Sequence, residues 1–156
     1  MTNAGAVSER DRILNQLERA FEGEAWHGPS VLEALEGVTW QKAAAKPIAG
    51  AHSIWELVRH IICWEDVVRR RLLGESPEIT DEQNFPKIEN PSETAWKRTM
   101  DDLREGHEKL RDVAAKIRDE ELDEKPHAKT TTRYILLHGI IQHDIYHAGQ
   151  IAILKK

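Results

Sequence analysis

The chain has 156 residues, 40% hydrophobic and 31% charged, the make-up of one ordinary globular domain spanning residues 1–156. Its net charge of −5 argues against the basic stripe that nucleic-acid binding needs, and no window approaches the roughly 18 uninterrupted apolar residues of a membrane span. The single cysteine, Cys63, excludes an internal disulfide framework and a cysteine-based zinc knuckle; with no secretory leader in view, the expected location is the cytoplasm.

Four long helical patterns follow in chain order. The first runs from about Ser8 to Glu22, with Ile13, Leu14, Leu17, Ala20 and Phe21 at helical spacing. Ser8 is its N-cap, Asp11 stands where a carboxylate can reach back to that cap, and Gly23 ends it. Ser30 to Leu35 predicts a short helical turn, and residues 37–51, with Pro47 and Gly50, a connection. The second helix starts at a capping box, Ser53 with Glu56 three residues on. It continues through Ile61, Trp64 and Val68 to about Leu73, where Gly74 stops it. The basic run Arg69-Arg70-Arg71 suits the negative end of that helix and is expected to solvate its last turn. Residues 75–91 contain Pro77, Pro86 and Pro91 and form the longest linker, of the kind that often borders a site.

A third helix starts at Ser92 and runs to about Arg118, carrying Trp96, Leu103, Leu110, Val113 and Ile117; residues 119–130 form a second polar loop. The fourth runs from Thr131 or Thr132 to Leu154. No segment alternates with period two, so the expected fold is all-α, a four-helix bundle.

The last helix is apolar on two sides. One stripe holds Leu136, Ile140, His143, His147, Ile151 and Leu154; the opposite one holds Tyr134, Ile141, Ile145, Ala148 and Ala152, with His138 among them. A bundle helix needs one apolar stripe, so the second predicts further cover, either from the chain's own loops or from a second copy in a homodimer.

His143 and His147 are the chain's most informative pair. Four residues apart on a helix, they stack two imidazoles on one face, and burying both is costly unless something organises them. A divalent metal ion does so. His60, inside the second helix on a stripe with Leu57, Trp64 and Val67, is the best third ligand, since bundle metal sites draw side chains from facing helices. Three imidazoles without a buried carboxylate or thiolate partner suit zinc or nickel and leave a position open to water, the catalytic pattern. His52 stands near the mouth of such a site or is a loop residue; His138 points to the opposite face, and His27, His107 and His127 are expected to face solvent. Cys63, one turn after His60, reads as a small buried hydrophobe, and Trp64 as core or pocket wall. Asp144 is a candidate catalytic carboxylate that could orient His147 or accept a proton; the alternative is a solvated surface group. The string His143-Asp144-Ile-Tyr-His147 is not a convincing peptidase motif, because Asp is a methylene shorter than the Glu such enzymes use and only nine residues follow His147.

Two of these segments, Ala51-His-Ser-Ile-Trp-Glu-Leu-Val-Arg-His60 and His143-Asp-Ile-Tyr-His147-Ala-Gly-Gln-Ile151, resemble the signature segments of the DinB-like (YfiT-like) metal-binding four-helix-bundle superfamily. Ala25-Trp26-His27-Gly28-Pro29-Ser30 resembles an early segment of the same family. The resemblance implies an up-down-down-up bundle, a metal triad of His60, His143 and His147, zinc or nickel as the ion, and frequent homodimers. It also implies chemistry of the thiol S-transferase, isomerase or hydrolase kind on a small molecule, with a low-molecular-weight thiol such as bacillithiol or mycothiol as a possible co-substrate. Three classes of function therefore stand: a metal-dependent enzyme, a non-catalytic metal-binding stress-response module, and a dimeric scaffold.

Overall fold

Each of the four long helices starts at a hydroxyl in the computed structural model, which describes residues 7–156. Ser8, Ser53, Ser92 and Thr132 accept hydrogen bonds from the backbone N–H groups of Asp11, Glu56, Ala95 and Ile135, and so satisfy donors that a helix start leaves unpaired. The helices in chain order are α1 (Glu9–Phe21), α2 (Val31–Leu35), α3 (Trp40–Ala44), α4 (Ile54–Leu72), α5 (Asp81–Asn84), α6 (Glu93–Ala114) and α7 (Arg133–Leu154). A 3₁₀ turn covers Asp119–Glu121, and there is no strand among the described residues.

Two short helices lie inside segments expected to be loops. Thr39 caps α3, and Thr80 with Gln83 forms a reciprocal capping box on α5. One turn of helix held by caps has too few residues to show a hydrophobic period, which is why periodicity misses both. The third long helix ends at Ala114, short of Arg118, although Ile117 is still buried beyond it. Asp11 does not reach back to the Ser8 cap; its carboxylate pairs with Arg10.

Side-chain pairs establish the topology. Trp55 donates to Thr99 at 2.9 Å and Glu65 meets His107 at 2.7 Å, so α4 and α6 run parallel. Phe21 stacks on His107, while the N–H groups of Glu9 and Arg10 bind Asp119, so α1 runs against α6. His60 meets His143, while Val68 and Arg71 lie beside Ile140 and Ile135, so α4 opposes α7. The order is up, down, down, up.

The second apolar stripe of α7 is covered in part within the chain. Besides α4, α7 packs against α1 and α2, and Ile141 and Ala148 are buried there. Of the two covers the sequence left open, the chain's own packing takes Ile141 and Ala148, while Tyr134, Ile145 and Ala152 keep part of their surface. The apolar side chains that α7 leaves exposed are Ile135, Tyr146 and Ile153, with Tyr134 at the margin.

The interior divides into two apolar clusters. One contains Phe21, Trp55, Ile61, Leu103, Ala148 and Ile151; the other contains Leu17, Val68, Leu110, Leu137, Ile140 and Ile141. Between them on three helices stand polar residues: Glu65 between Ile61 and Val68, His107 between Leu103 and Leu110, Asp144 between Ile141 and Ala148. All three are buried.

Candidate metal centre

The register of α4 against α7 brings His60, His143 and His147 together. His143 Nε2 is 3.0 Å from His60 Nε2 and 3.2 Å from His147 Nε2. Metal–nitrogen bonds of about 2.0–2.1 Å place ligand nitrogens about 3.3 Å apart in a tetrahedron and about 2.9 Å apart at right angles. The observed separations fall in that range. All three side chains lie on rigid helices, and the i, i+4 pair owes its convergence to helix geometry alone.

The opposite ring nitrogens define the tautomers. His60 Nδ1 lies 2.8 Å from the backbone carbonyl of Asn84, an acceptor, so it carries the hydrogen and donates. His147 Nδ1 donates in the same way to Gln150 Oε1 at 2.6 Å. Both Nε2 lone pairs therefore point at His143 Nε2, whose single N–H could satisfy only one of them. A cation satisfies all three, and metal-binding histidines usually donate from the outer ring nitrogen to a fixed acceptor in this way.

Burial keeps the rings neutral. It lowers His143 to about 3, helped by the neighbouring His147 and His60. His60 and His147 also lie below the ordinary imidazole value, again through burial, which outweighs the bonds to Asn84 and Gln150. Neutral imidazole is the ligand form.

The linker expected to border a site does so. Phe85 stacks on His60 at 4.0 Å and on His52 at 3.8 Å, which makes a three-ring pile over one side of the triad. Trp64 donates from Nε1 to Asn84 Oδ1 at 2.8 Å and forms another wall, 6.1 Å from the His143 ring. Beside His143 a slot of about 250 Å³ runs between α4 and α7. A separate cavity of about 450 Å³ between α4, α6 and the linker is lined by Cys63 and Trp55 but by none of the triad. Cys63 is half-buried there, its thiol pushed up by burial, so it is neither a ligand nor a fully buried core residue.

Asp144 is neither a solvated surface group nor a partner of His147. Its side chain is wholly buried, and its Oδ1 lies 3.7 Å from His143 Nδ1, a nitrogen with no hydrogen-bond partner among the described residues. On its other side it lies against Glu65, whose Oε1 is 2.7 Å from His107 Nδ1. Burial raises Glu65 to about 8 and Asp144 well above its ordinary value, so at neutral pH the two carboxyls retain at least one proton. His107 is not exposed as expected: it is 2% exposed, stacks on Phe21 at 3.6 Å, and burial pushes it down to about 4. The three imidazoles converge without a carboxylate among them; the buried carboxyl of Asp144 stands behind His143. The sequence carried the signal, because Glu65, His107 and Asp144 each occupy a position on an otherwise apolar stripe. Asn84 and Gln150 carried none, since a backbone carbonyl and a surface-type amide reveal their role only in the folded register.

His27 is exposed, His127 half-buried, and His138 lies away from the triad against Tyr134. No helix among the described residues is long and apolar enough to cross a membrane.

The family model of the DinB superfamily matches residues 25–151. Comparison with curated proteins and with solved structures finds no match.

Proposed function

The chain belongs to the DinB superfamily, and from that premise we propose that His60, His143 and His147 hold one divalent ion, zinc or nickel, at the centre of a metal-dependent enzyme of the thiol S-transferase or hydrolase type. The observation that carries this reading is the convergence of three Nε2 atoms within 3.2 Å along His60–His143–His147, two of them with lone pairs directed inward. When bound, such an ion supplies Lewis acidity to a water or thiol. The chain's own groups orient the ligands through Asn84 and Gln150, wall the site with Trp64 and Phe85, and leave the slot beside His143 for a small molecule. Asp144 lies behind His143, its Oδ1 3.7 Å from Nδ1 and beyond hydrogen-bond reach, and its burial argues against direct contact with substrate. A single half-buried cysteine suits a protein working in the reducing cytoplasm.

Elemental analysis of purified protein tests the metal, with about one ion per chain expected and most of it lost in His143→Ala. Full retention in that variant removes the assignment. Metal-loaded protein assayed against monochlorobimane with several low-molecular-weight thiols separates transferase from hydrolase. Silence in every substrate screen, with metal removal lowering only stability, would favour a non-catalytic metal-binding module.

We also propose that the protein pairs with a second copy through the exposed face of α7 around Tyr146 and Ile153. Both side chains are 65% exposed, and Gly149 between them has no atom within 4 Å of where a Cβ would stand. A mid-helix glycine costs up to about 1 kcal/mol against alanine, a cost that close approach of another helix would offset.

A further inference from the structure

The slot beside His143 has a chemical polarity that the metal reading does not use. Its walls are Trp64, Val68, Ile135, Leu136 and Ile140. His143 closes one end. Arg71, two helical turns along α4 from Trp64, lines the same slot. Its guanidinium carbon lies 5.7 Å from the Trp64 ring centroid, which holds the side chain over the slot. The two neighbouring arginines are neutralised, Arg69 by Asp66 and Arg70 by Glu75. Arg71 is half-buried and has no acidic partner among the described residues. A guanidinium facing an apolar slot with five donors and no carboxylate is built to receive one in a fork.

We propose that this slot binds a small organic acid, an apolar aryl or alkyl body whose carboxylate sits on Arg71 and whose other end faces His143. The inference rests on the His triad being the reacting end, and it names the substrate class of that same site. The charge complementarity is local: the protein is net negative, so an unpaired cation at the slot mouth selects for an anionic ligand where the rest of the surface would repel it.

The test uses metal-free full-length protein, so that ligand affinity is read independently of the ion. NMR titration with 4-phenylbutyrate and with its neutral isostere 4-phenylbutyramide should show the acid binding about tenfold more tightly, as a charge-assisted pair predicts. Arg71→Gln should abolish that preference while leaving the amide affinity in place. Gly139→Leu, at an exposed slot-lining position where a Cβ meets nothing within 4 Å, should remove binding of both compounds without unfolding the helix. Equal binding of acid and amide to the wild-type protein, or a preference that survives Arg71→Gln, overturns the proposal. A separate zinc titration of the same three proteins tells the two readings apart. Unchanged metal binding with no acid preference sinks the slot alone, whereas acid preference without metal binding sinks the triad as the reacting end.

Discussion

His107 Nδ1 and Glu65 Oε1 share a hydrogen bond of 2.7 Å in the layer that separates the two apolar clusters of the bundle. With Asp144 this pair ties α4, α6 and α7 together behind the histidine triad. A buried polar layer contributes less to stability than apolar residues would, but leaving one member unpaired is expensive. His107→Ala should therefore cost about 3 kcal/mol, through the orphaned Glu65 and the lost stack on Phe21. Urea denaturation measures it, and a loss under about 1 kcal/mol would mean that water or local relaxation satisfies Glu65 in place of His107.

Glu65 gives the fold a pH dependence of definite sign. In the unfolded chain it ionises near 4.5, whereas burial raises it to about 8 in the native state. Between those values the unfolded chain has released a proton that the native protein retains, so stability falls as pH rises, by up to about 1.4 kcal/mol per pH unit. Glu65→Gln keeps an acceptor for His107 and removes this titration. The melting temperature of the variant should gain on wild type steadily from pH 5 to pH 8 and then level off. A difference that stays constant across that range would show the Glu65 carboxyl to be ionised in the native protein throughout.

The groups behind His147 and His60 support their rings in two different ways. Gln150 reaches His147 with its side chain, so Gln150→Leu should weaken metal binding about 10–100-fold with little change in folding. Asn84 reaches His60 with its backbone carbonyl and uses its side chain on Trp64, so Asn84→Ala should leave metal affinity within a few-fold of wild type. Competition with a chromophoric chelator measures both, and equal losses would contradict the assignment of partners.

Protons should compete poorly for the triad. Burial lowers His143 to about 3 and keeps His60 and His147 below the ordinary 6.5, so the site remains neutral on mild acidification. Metal occupancy after equilibrium dialysis should persist below pH 6, and any thiol-transfer or hydrolytic rate should fall in parallel with it. Half-loss of the ion at pH 6.5 or above would show that the free imidazoles are solvated.

Light scattering at micromolar concentration should report about twice the 17.9 kDa chain mass. Tyr146→Lys places a charge in the proposed α7 face and should give the monomer with unchanged helicity, since this side chain is exposed. A wild-type protein of single mass at high concentration would refute the pairing.

By itself the sequence determined the all-helical class, the starts of the four long helices and the histidine pair on the last one. Each is a local matter. A hydroxyl caps the helix that follows it, and residues four apart share a face whatever else the chain does. It also placed His60 on an inward stripe. Only the tertiary structure decided what those stripes meet. The antiparallel register of α4 and α7 turns three separate histidines into one site, and puts Asn84 and Gln150 behind two of them. The same packing buries Ile141 and Ala148 under α1 and α2, and closes Glu65, His107 and Asp144 into one layer. Periodicity tells which way a side chain faces along its own helix; the partner across the interface is chosen by register between helices, and no local pattern encodes that.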